Sequence, residues 1–183
     1  MKKESDLIKN LKNKNTQNVA FDNLIQRYKE PLYWHIRRIL LDHDDSNDVL
    51  QNTFVKVFKG IQNFKGDSKL YTWIYRIATN ESINFLRIKS KKYLQGYEEM
   101  TNYMLSNLKD DPYFDGDELQ LKLQFIISKL PEKQKLVFQM KYEQNMKFKD
   151  ISEILGTSIG ALKASYHIAV NKIKKEIKEI QTF

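Results

Sequence analysis

Apolar residues recur along most of the chain at intervals of three and four positions, the period of an α-helix with one buried face. One such stripe covers residues 21–28, and Pro31 is expected to open a second helix with apolar positions between 32 and 40. Asp44 or Asp45 is expected to cap a third helix. Because only 6 Gly and 3 Pro interrupt the chain, and neither strand alternation nor a repeat is recognisable, the sequence predicts an all-α protein.

The third predicted helix has two different faces. Its apolar stripe consists of Leu50, Thr53, Phe54, Val57 and Phe58. Its opposite, mixed face consists of Asp48, Gln51, Asn52, Val55 and Lys56. A face of this composition is suited to a protein partner.

The acidic residues near the start of that helix do not fit a calcium loop. An EF-hand loop begun at Asp42 would place Asn47 where glycine is required and Thr53 where glutamate is required. Helix capping and the attraction between carboxylates and a helix N-terminus account for these acids instead. We therefore predict no metal and no other cofactor.

A loop at Phe64–Ser68 precedes a helix, expected over Leu70–Lys89, that mixes aromatic rings with cations. The rings are Tyr71, Trp73 and Tyr75, and the cations are Arg76, Arg87, Lys89, Lys91 and Lys92. Stacking surfaces combined with charge that follows the backbone are what unpaired bases require. The residues support equally well the alternative in which Trp73, Ile74 and Ile77 belong to the core and the cations are solvated.

In the C-terminal third of the chain, the sequence predicts four helices. The first is expected over about 119–129 and ends before Pro131, which is placed in the first turn of a second helix reaching about residue 142. A short helix from Phe148 then stops at Gly156, which is suited to the left-handed conformation. Thr157 or Ser158 is expected to cap the last helix. Its apolar stripe consists of Leu162, Tyr166, Ala169, Ile173 and Ile177. Two helices joined by a tight glycine turn, over about 148–177, form a helix-turn-helix.

The opposite face of the last helix favours DNA binding. It carries Gly160, Lys163, Ala164, His167, Asn171, Lys174 and Lys175, with no carboxylate before Glu176. Small residues allow the helix to lie deep in a major groove, and the lysines neutralise phosphates. The alternative is a packed helical bundle with a solvated lysine face, and Asn171 fits either adenine recognition or simple solvation.

Charge divides the chain into three parts. Residues 1–92 hold 18 basic and 10 acidic side chains, residues 93–118 hold 1 and 7, and residues 119–183 hold 12 and 6. Two small helical domains, at 1–92 and 118–183, are therefore expected on either side of an acidic flexible linker at 93–117. The net charge of +8 favours a polyanionic partner.

No stretch approaches the roughly 18 apolar residues of a spanning helix, so membrane insertion is not expected. The absence of cysteine fits a reducing compartment, and we expect a cytoplasmic protein.

Two long segments resemble a known family. The stretch DDSNDVLQNTFVKVFKGIQNFKGDSKLYTWIYRIATNESINFLR resembles the second region of bacterial RNA polymerase sigma factors of the extracytoplasmic-function group, within the sigma-seventy family. The stretch LPEKQKLVFQMKYEQNMKFKDISEILGTSIGALKASYHIAVNKIKK resembles their fourth region. Together they cover about half of the chain in the family's order, with the acidic linker where this group lacks an intermediate domain. The resemblance implies a non-enzymatic subunit that directs promoter-specific transcription initiation.

The resemblance also implies roles for individual residues. Those implied to dock on core RNA polymerase are Asp45, Asp48, Gln51, Asn52 and Lys56, with Phe54 internal. Those implied to capture a flipped base and the adjoining strand of the minus-ten element are Asn63, Phe64, Lys65, Gly66, Asp67, Ser68, Tyr71, Thr72, Trp73, Arg76 and Asn80. Those implied to contact the duplex minus-thirty-five element are Ser158, Gly160, Lys163, Ala164, Ser165, His167, Asn171 and Lys174. An anti-sigma factor is a usual partner in this family.

Some positions depart from the family's pattern. Ser165, Ile168 and Val170 stand where arginines are usual in the reading helix, and Tyr71 and Thr79 stand where arginines are usual near the melting helix. Because fewer phosphate contacts follow, we expect the isolated protein to bind DNA weakly. The alternative from another class is a helix-turn-helix repressor or activator with an N-terminal dimerising or sensing domain.

Overall fold

The structure is a computed structural model that describes the backbone of residues 2–92 and 118–181. Both described ranges are helical, and no strand occurs in either of them. The helices are α1 (Lys2–Lys12), α2 (Gln17–Leu40), α3 (His43–Gly60), α4 (Leu70–Lys92), α5 (Glu118–Ser128), α6 (Glu132–Phe138), α7 (Phe148–Leu155) and α8 (Ile159–Gln181). A 3₁₀ turn covers Ile61–Asn63 and a π-helical turn covers Gln139–Glu143. The all-α prediction is confirmed.

The chain forms two compact units. One comprises Met1–Leu40 and Asp44–Phe85, and the other comprises Leu41–His43 and Leu86–Phe183. The acidic linker expected at 93–117 lies outside the described residues. The domain limits 1–92 and 118–183 therefore stay a prediction.

Helix α2 is continuous through Pro31, so the expected break at that proline is wrong. Proline inside a helix removes one backbone hydrogen bond and normally kinks or ends the helix. Here the residues on both sides share one buried stripe, in which Leu24, Tyr28 and Leu32 lie in the core while Pro31 is exposed. Burial of that stripe outweighs the local cost of the proline.

Two details of α3 also differ from the expectation. The helix begins at His43, so Asp44 and Asp45 lie in its first turn and neither is the capping residue. Phe58, which was assigned to the buried stripe, is 37% exposed. Its ring instead lies edge-on to Phe21 of α2, with the centroids 4.9 Å apart. The other members of the stripe are buried as expected.

A buried polar contact joins α2 to α4 inside the first unit. His35 is fully buried, and its Nε2 lies 2.9 Å from the hydroxyl of Thr79. That hydroxyl donates to the carbonyl of Tyr75 at 2.8 Å, so it accepts from a protonated Nε2. The contact fixes the rotation of α4, because one face of the helix is bonded to the core.

In the second unit, α5 and α6 pack with α8 around an apolar cluster. Its buried members are Ile126, Ile127, Leu130, Phe138, Ala169 and Ile173. Pro131 precedes α6 as its N-cap rather than lying in its first turn, and α6 ends at Phe138. The helix expected to continue to about residue 142 gives way to the π-helical turn, which the apolar period does not distinguish from an α-helix.

Candidate nucleic-acid interface

The turn between α7 and α8 has the geometry of a helix-turn-helix. Gly156 ends α7 in the left-handed conformation, with φ of 62°, and its backbone N–H donates to the carbonyl of Ser152. Ser158 caps α8, because its hydroxyl accepts from the backbone N–H of Ala161 at 3.3 Å. The Ser152 hydroxyl donates across the turn to the carbonyl of Thr157 at 2.7 Å. The predicted glycine stop and the serine cap are both confirmed.

The face of α8 that was predicted to contact DNA is open to solvent. Its exposed members are Ser158, Gly160, Lys163, Ala164, His167, Asn171 and Lys174, while Ser165 is half-buried. On this face the Asn171 side-chain amide lies 3.3 Å from His167 Nδ1, one helical turn away. The opposite face packs into the core through Leu162, Ala169 and Ile173. This helix therefore combines a firm apolar anchor with an outer surface of small, polar and cationic residues.

The loop before α4 is held by aromatic packing. The ring of Phe64 lies 5.0 Å from that of Trp73, and a Cβ added at Gly60 would come 3.3 Å from the Trp73 ring. Gly66 turns the loop with φ of 82°, a left-handed conformation that suits glycine. Between the anchoring residues the loop exposes Lys65, Gly66 and Asp67, with Ser68 half-buried.

The predicted strand-binding residues divide into exposed and buried groups. Asn63, Arg76 and Asn80 are exposed, while Tyr71 and Trp73 are half-buried. Phe64 is only 5% exposed and Thr72 only 1%, so these two side chains support the surface from below and do not form it. Both interpretations of the aromatic segment thus apply in part, since the same helix supplies core residues and an outer face.

Tyr71 and Tyr75 form a ring pair beside that surface, with centroids 4.3 Å apart. Tyr75 is buried, and burial raises the pKa of its phenol well above the ordinary value, with a smaller contribution from Tyr71. The Tyr75 phenol therefore stays neutral at physiological pH. The cation that opposes this pKa shift is Arg38 of α2, while Arg76, the next residue along α4, is exposed.

The outward face of α3 is partly apolar. Asp48, Gln51 and Asn52 are exposed and Asp45 is half-buried. Val55, at 49% exposed, adds an apolar centre. The Lys56 amino group donates to Glu81 of α4 at 2.5 Å. The positive charge of Lys56 is therefore partly neutralised by Glu81 of the same chain. Because the two residues are 25 positions apart, no local sequence pattern predicts this ion pair.

Other classes of site are not indicated in the described part of the chain. No group of three or more His, Asp or Glu residues within it is arranged to hold a metal ion. Among the described helices, none is long and apolar enough to cross a membrane.

Comparisons with known proteins match both units. The model described as Sigma-70 region 2 matches residues 24–92, and that described as Sigma-70, region 4 matches residues 120–173. The ECF RNA polymerase sigma factor SigW of Bacillus subtilis is 31% identical over 171 residues, covering 88% of this chain and 90% of the relative. The ECF RNA polymerase sigma-E factor of Haemophilus influenzae is 28% identical over 169 residues, covering 88% of this chain and 89% of that protein.

Two solved structures have a similar fold. CnrH, in complex with the cytosolic domain of CnrY, aligns with a TM-score of 0.70 at 19% identity, covering 96% of this chain and 97% of that one. The sigma factor RpoE, in complex with the anti-sigma factor NepR from Bartonella quintana, aligns with a TM-score of 0.66 at 17% identity, covering 86% of this chain and 96% of that one. The two family matches in order, the identity to SigW and the exposed face of α8 place this chain in the sigma-70 family, among the ECF RNA polymerase sigma factors.

Proposed function

We propose that this chain binds core RNA polymerase through α3 and promoter DNA through two separate surfaces, and that it carries out no bond chemistry itself. The observation that supports this most directly is the exposure of all three surfaces on helices whose other faces are anchored in a core. A dissociable subunit of this kind would act in the cytoplasm, where the polymerase is.

The polymerase contact is assigned to Asp45, Asp48, Gln51, Asn52 and Lys56, with Val55 as an apolar centre among them. Interfaces of this kind combine an apolar centre with a polar rim. Changing Asp48 and Gln51 to lysine should weaken binding to core polymerase, because it reverses the sign of the rim charge. The matched control changes Asp22 and Gln26 of α2, which are also exposed, to lysine. Equal affinities for the two double variants in a pull-down would remove α3 from the interface.

The minus-ten contact is assigned to the loop at 63–68 and to the outer face of α4. Extrusion of a base costs a few kcal/mol of stacking, which a pocket and an aromatic surface can offset. Trp73, which packs on Phe64 of the loop, and the exposed Arg76 supply a ring and charge, while Tyr71 lies about 160° around α4 from Trp73 and packs on Tyr75. Phe64 and Thr72 are assigned a supporting role because they are buried.

The duplex minus-thirty-five contact is assigned to the outer face of α8. Gly160 and Ala164 allow close approach of the helix to the groove, while Lys163 and Lys174 reach phosphates. His167 and Asn171 lie between these groups on the same face.

One assay tests the proposed function as a whole. Purified protein, core polymerase and genomic promoter fragments should together yield transcripts from start sites that core polymerase alone does not use. The competing function is that of a repressor or activator. Absence of new transcripts, together with tight dimeric binding to an operator without polymerase, would favour it.

An anti-sigma factor is proposed as a further partner. The proposal rests on the fold shared with RpoE, whose solved structure contains the anti-sigma factor NepR. Co-purification from native cells should recover a second protein that blocks transcription in the assay above. Recovery of core polymerase alone, under inducing and non-inducing conditions, would count against this partner.

A further inference from the structure

Helix α1 lies before the region that matches the sigma family model, which begins at residue 24. Its apolar side is held in the first unit by Leu11, which is fully buried, and it packs against α2 and the 3₁₀ turn. The family match assigns no role to this helix. Its long-range hydrogen bonds, however, reach the loop between the 3₁₀ turn and α4 and the residues that flank this loop.

Both ends of that loop are bonded to α1. At the start, the Lys12 amino group donates to the carbonyl of Phe64 at 2.6 Å. At the end, the Glu4 carboxylate accepts from the backbone N–H of Leu70 at 2.8 Å. A third bond runs from the Gln62 side chain to the carbonyl of Lys12 at 3.3 Å. These contacts join residues more than 45 positions apart in sequence, so they are tertiary restraints on the loop.

The bonds from Glu4 and Lys12 also supply hydrogen-bond partners to two backbone groups at the ends of the loop. Leu70 is the first residue of α4, and the first backbone N–H groups of a helix have no partner within the helix. Glu4 supplies that partner together with a negative charge at the positive end of the helix dipole. Lys12 satisfies the carbonyl of Phe64, whose side chain is buried. The two loop ends are thus fixed by charge-assisted hydrogen bonds.

Helix α1 sets the spacing of these anchors. Eight residues of helix separate Glu4 from Lys12, which corresponds to about 12 Å along the axis. A fully extended chain of six residues could span roughly 20 Å. The loop is therefore longer than the rise of α1 between Glu4 and Lys12, and four of its residues, Lys65, Gly66, Asp67 and Lys69, are exposed, with Gly66 at positive φ. Three of these exposed residues, Lys65, Gly66 and Asp67, are among those assigned to the flipped base.

We propose that α1 is a positioning element for base capture, in which Glu4 and Lys12 hold the two ends of the 64–70 loop in the conformation that receives an unpaired base. This rests on the proposed function, because the loop must contact the melted strand. Loss of the anchors should impair the trapping of melted DNA while leaving the polymerase face of α3 and the outer face of α8 unchanged. Binding sites preorganised by rigid contacts lose affinity when those contacts are removed, because the ordering cost then falls on binding.

The test compares holoenzymes that carry single variants of α1. Glu4→Ala removes the acceptor, whereas Glu4→Gln keeps a carbonyl oxygen at the same position. Lys12→Met removes the donor, whereas Lys12→Arg keeps one. Lys9→Met and Asp6→Ala are matched controls, since both residues are exposed on the same helix. The readouts are affinity for core polymerase and permanganate reactivity of unpaired thymines, on a promoter fragment that the wild-type holoenzyme transcribes.

Glu4→Ala and Lys12→Met should each reduce thymine reactivity by roughly tenfold, the effect of losing about 1.4 kcal/mol of binding free energy. Affinity for core polymerase should not change, Lys12→Arg and both controls should behave as wild type, and Glu4→Gln, which keeps the acceptor but loses the charge, should show a smaller loss of reactivity than Glu4→Ala. Unchanged reactivity in Glu4→Ala and Lys12→Met would overturn the inference. Equal losses of core affinity and of reactivity would also overturn it, since they indicate a general folding defect. If the wild-type holoenzyme melts no promoter at all, the proposed function itself fails.

Discussion

At the scale of single residues, two glycines of the helix-turn-helix are expected to respond oppositely to substitution by alanine. Gly156 has φ of 62°, where an L side chain is strained even though an added Cβ would contact nothing within 4 Å. Gly160 lies in the first turn of α8, outside the left-handed region, and an added Cβ there also has open space. The backbone conformation alone therefore distinguishes the two positions.

We expect Gly156→Ala to lower the free energy of unfolding of the second unit by about 1 to 2 kcal/mol. Gly160→Ala should raise it by up to about 1 kcal/mol, because alanine favours the helix. The measurement is urea unfolding followed through the methyl NMR signals of Ile127 and Leu130, which lie in the core of that unit. If the two variants shift the unfolding midpoint in the same direction, backbone conformation does not control this turn.

The buried Lys135 provides a second prediction at this scale. Burial lowers the pKa of its amino group to about 8, and Glu143 and Glu132 oppose that shift. The folded pKa lies below the unfolded value of 10.5, so between pH 8 and 10.5 the unfolded chain binds more protons than the folded chain. The contribution of Lys135 to the free energy of unfolding must therefore rise with pH between 8 and 10.5.

Comparison with Lys135→Met isolates the titration of this lysine from that of other groups. Wild-type protein should gain stability relative to the variant as pH rises from 8, with a slope of up to about 1.4 kcal/mol per pH unit. The same methyl signals, followed in urea at several pH values, give the difference. A constant difference across the window would show that the amino group titrates normally in the folded chain.

At the scale of elements, Pro31 is the residue whose local cost is outweighed by packing. Replacing it with alanine restores the backbone N–H that the interior of α2 lacks, and the side chain is exposed, so little packing is lost. We expect Pro31→Ala to stabilise the first unit by about 1 to 3 kcal/mol. Both tryptophans, Trp34 and Trp73, lie in that unit, so tryptophan fluorescence in urea measures it. Destabilisation, with Glu30→Ala as a neutral control, would mean that the packing of α2 requires the proline.

The helix-turn-helix and α2 together show how far the secondary-structure elements can be predicted from the sequence. The helix-turn-helix was predictable because its signals, Gly156 and the Ser158 cap, lie within a few residues of the turn that they specify. The continuity of α2 was not, because a local proline rule competes with a buried stripe that only the folded core completes. Phe58 was misassigned for a related reason, since its period fits the core while the neighbouring helix leaves its ring partly exposed.

The residues of the candidate surfaces also fall into two groups, those whose exposure the sequence predicts and those placed by tertiary contacts. Periodicity alone placed the exposed members of the α8 face, because one apolar stripe fixes the rotation of a helix. It could not place Thr72, which lies on a helix whose rotation is set by the contact between His35 and Thr79. The bonds from α1 to the loop join residues separated by 50 or more positions, and no short-range pattern encodes them.

At the scale of the whole molecule, charge determines how the protein binds a polyanion. Residues 1–92 carry a net charge of +8 and residues 119–183 a net charge of +6, so both proposed DNA-binding surfaces lie on basic parts of the chain. Few of these cations stand on the reading face of α8, where Lys163 and Lys174 are the exposed lysines assigned to phosphates. Arginine is absent from α8 altogether. We therefore expect affinity for promoter DNA to come mainly from attachment of the chain to polymerase.

This distribution of charge leads to a prediction about salt. Each phosphate contact that is lost should make the plot of log affinity against log salt concentration less steep by roughly 0.9, because fewer counterions are released. Holoenzyme carrying Lys163→Gln and Lys174→Gln should therefore show a slope shallower by about 2 on a promoter that the wild type transcribes. Lys172→Gln is the matched control, because Lys172 is equally exposed but lies about 120° around α8 from the centre of the reading face. A slope unchanged in the double variant, or changed as much by the control, would show that α8 does not meet the DNA backbone through these lysines.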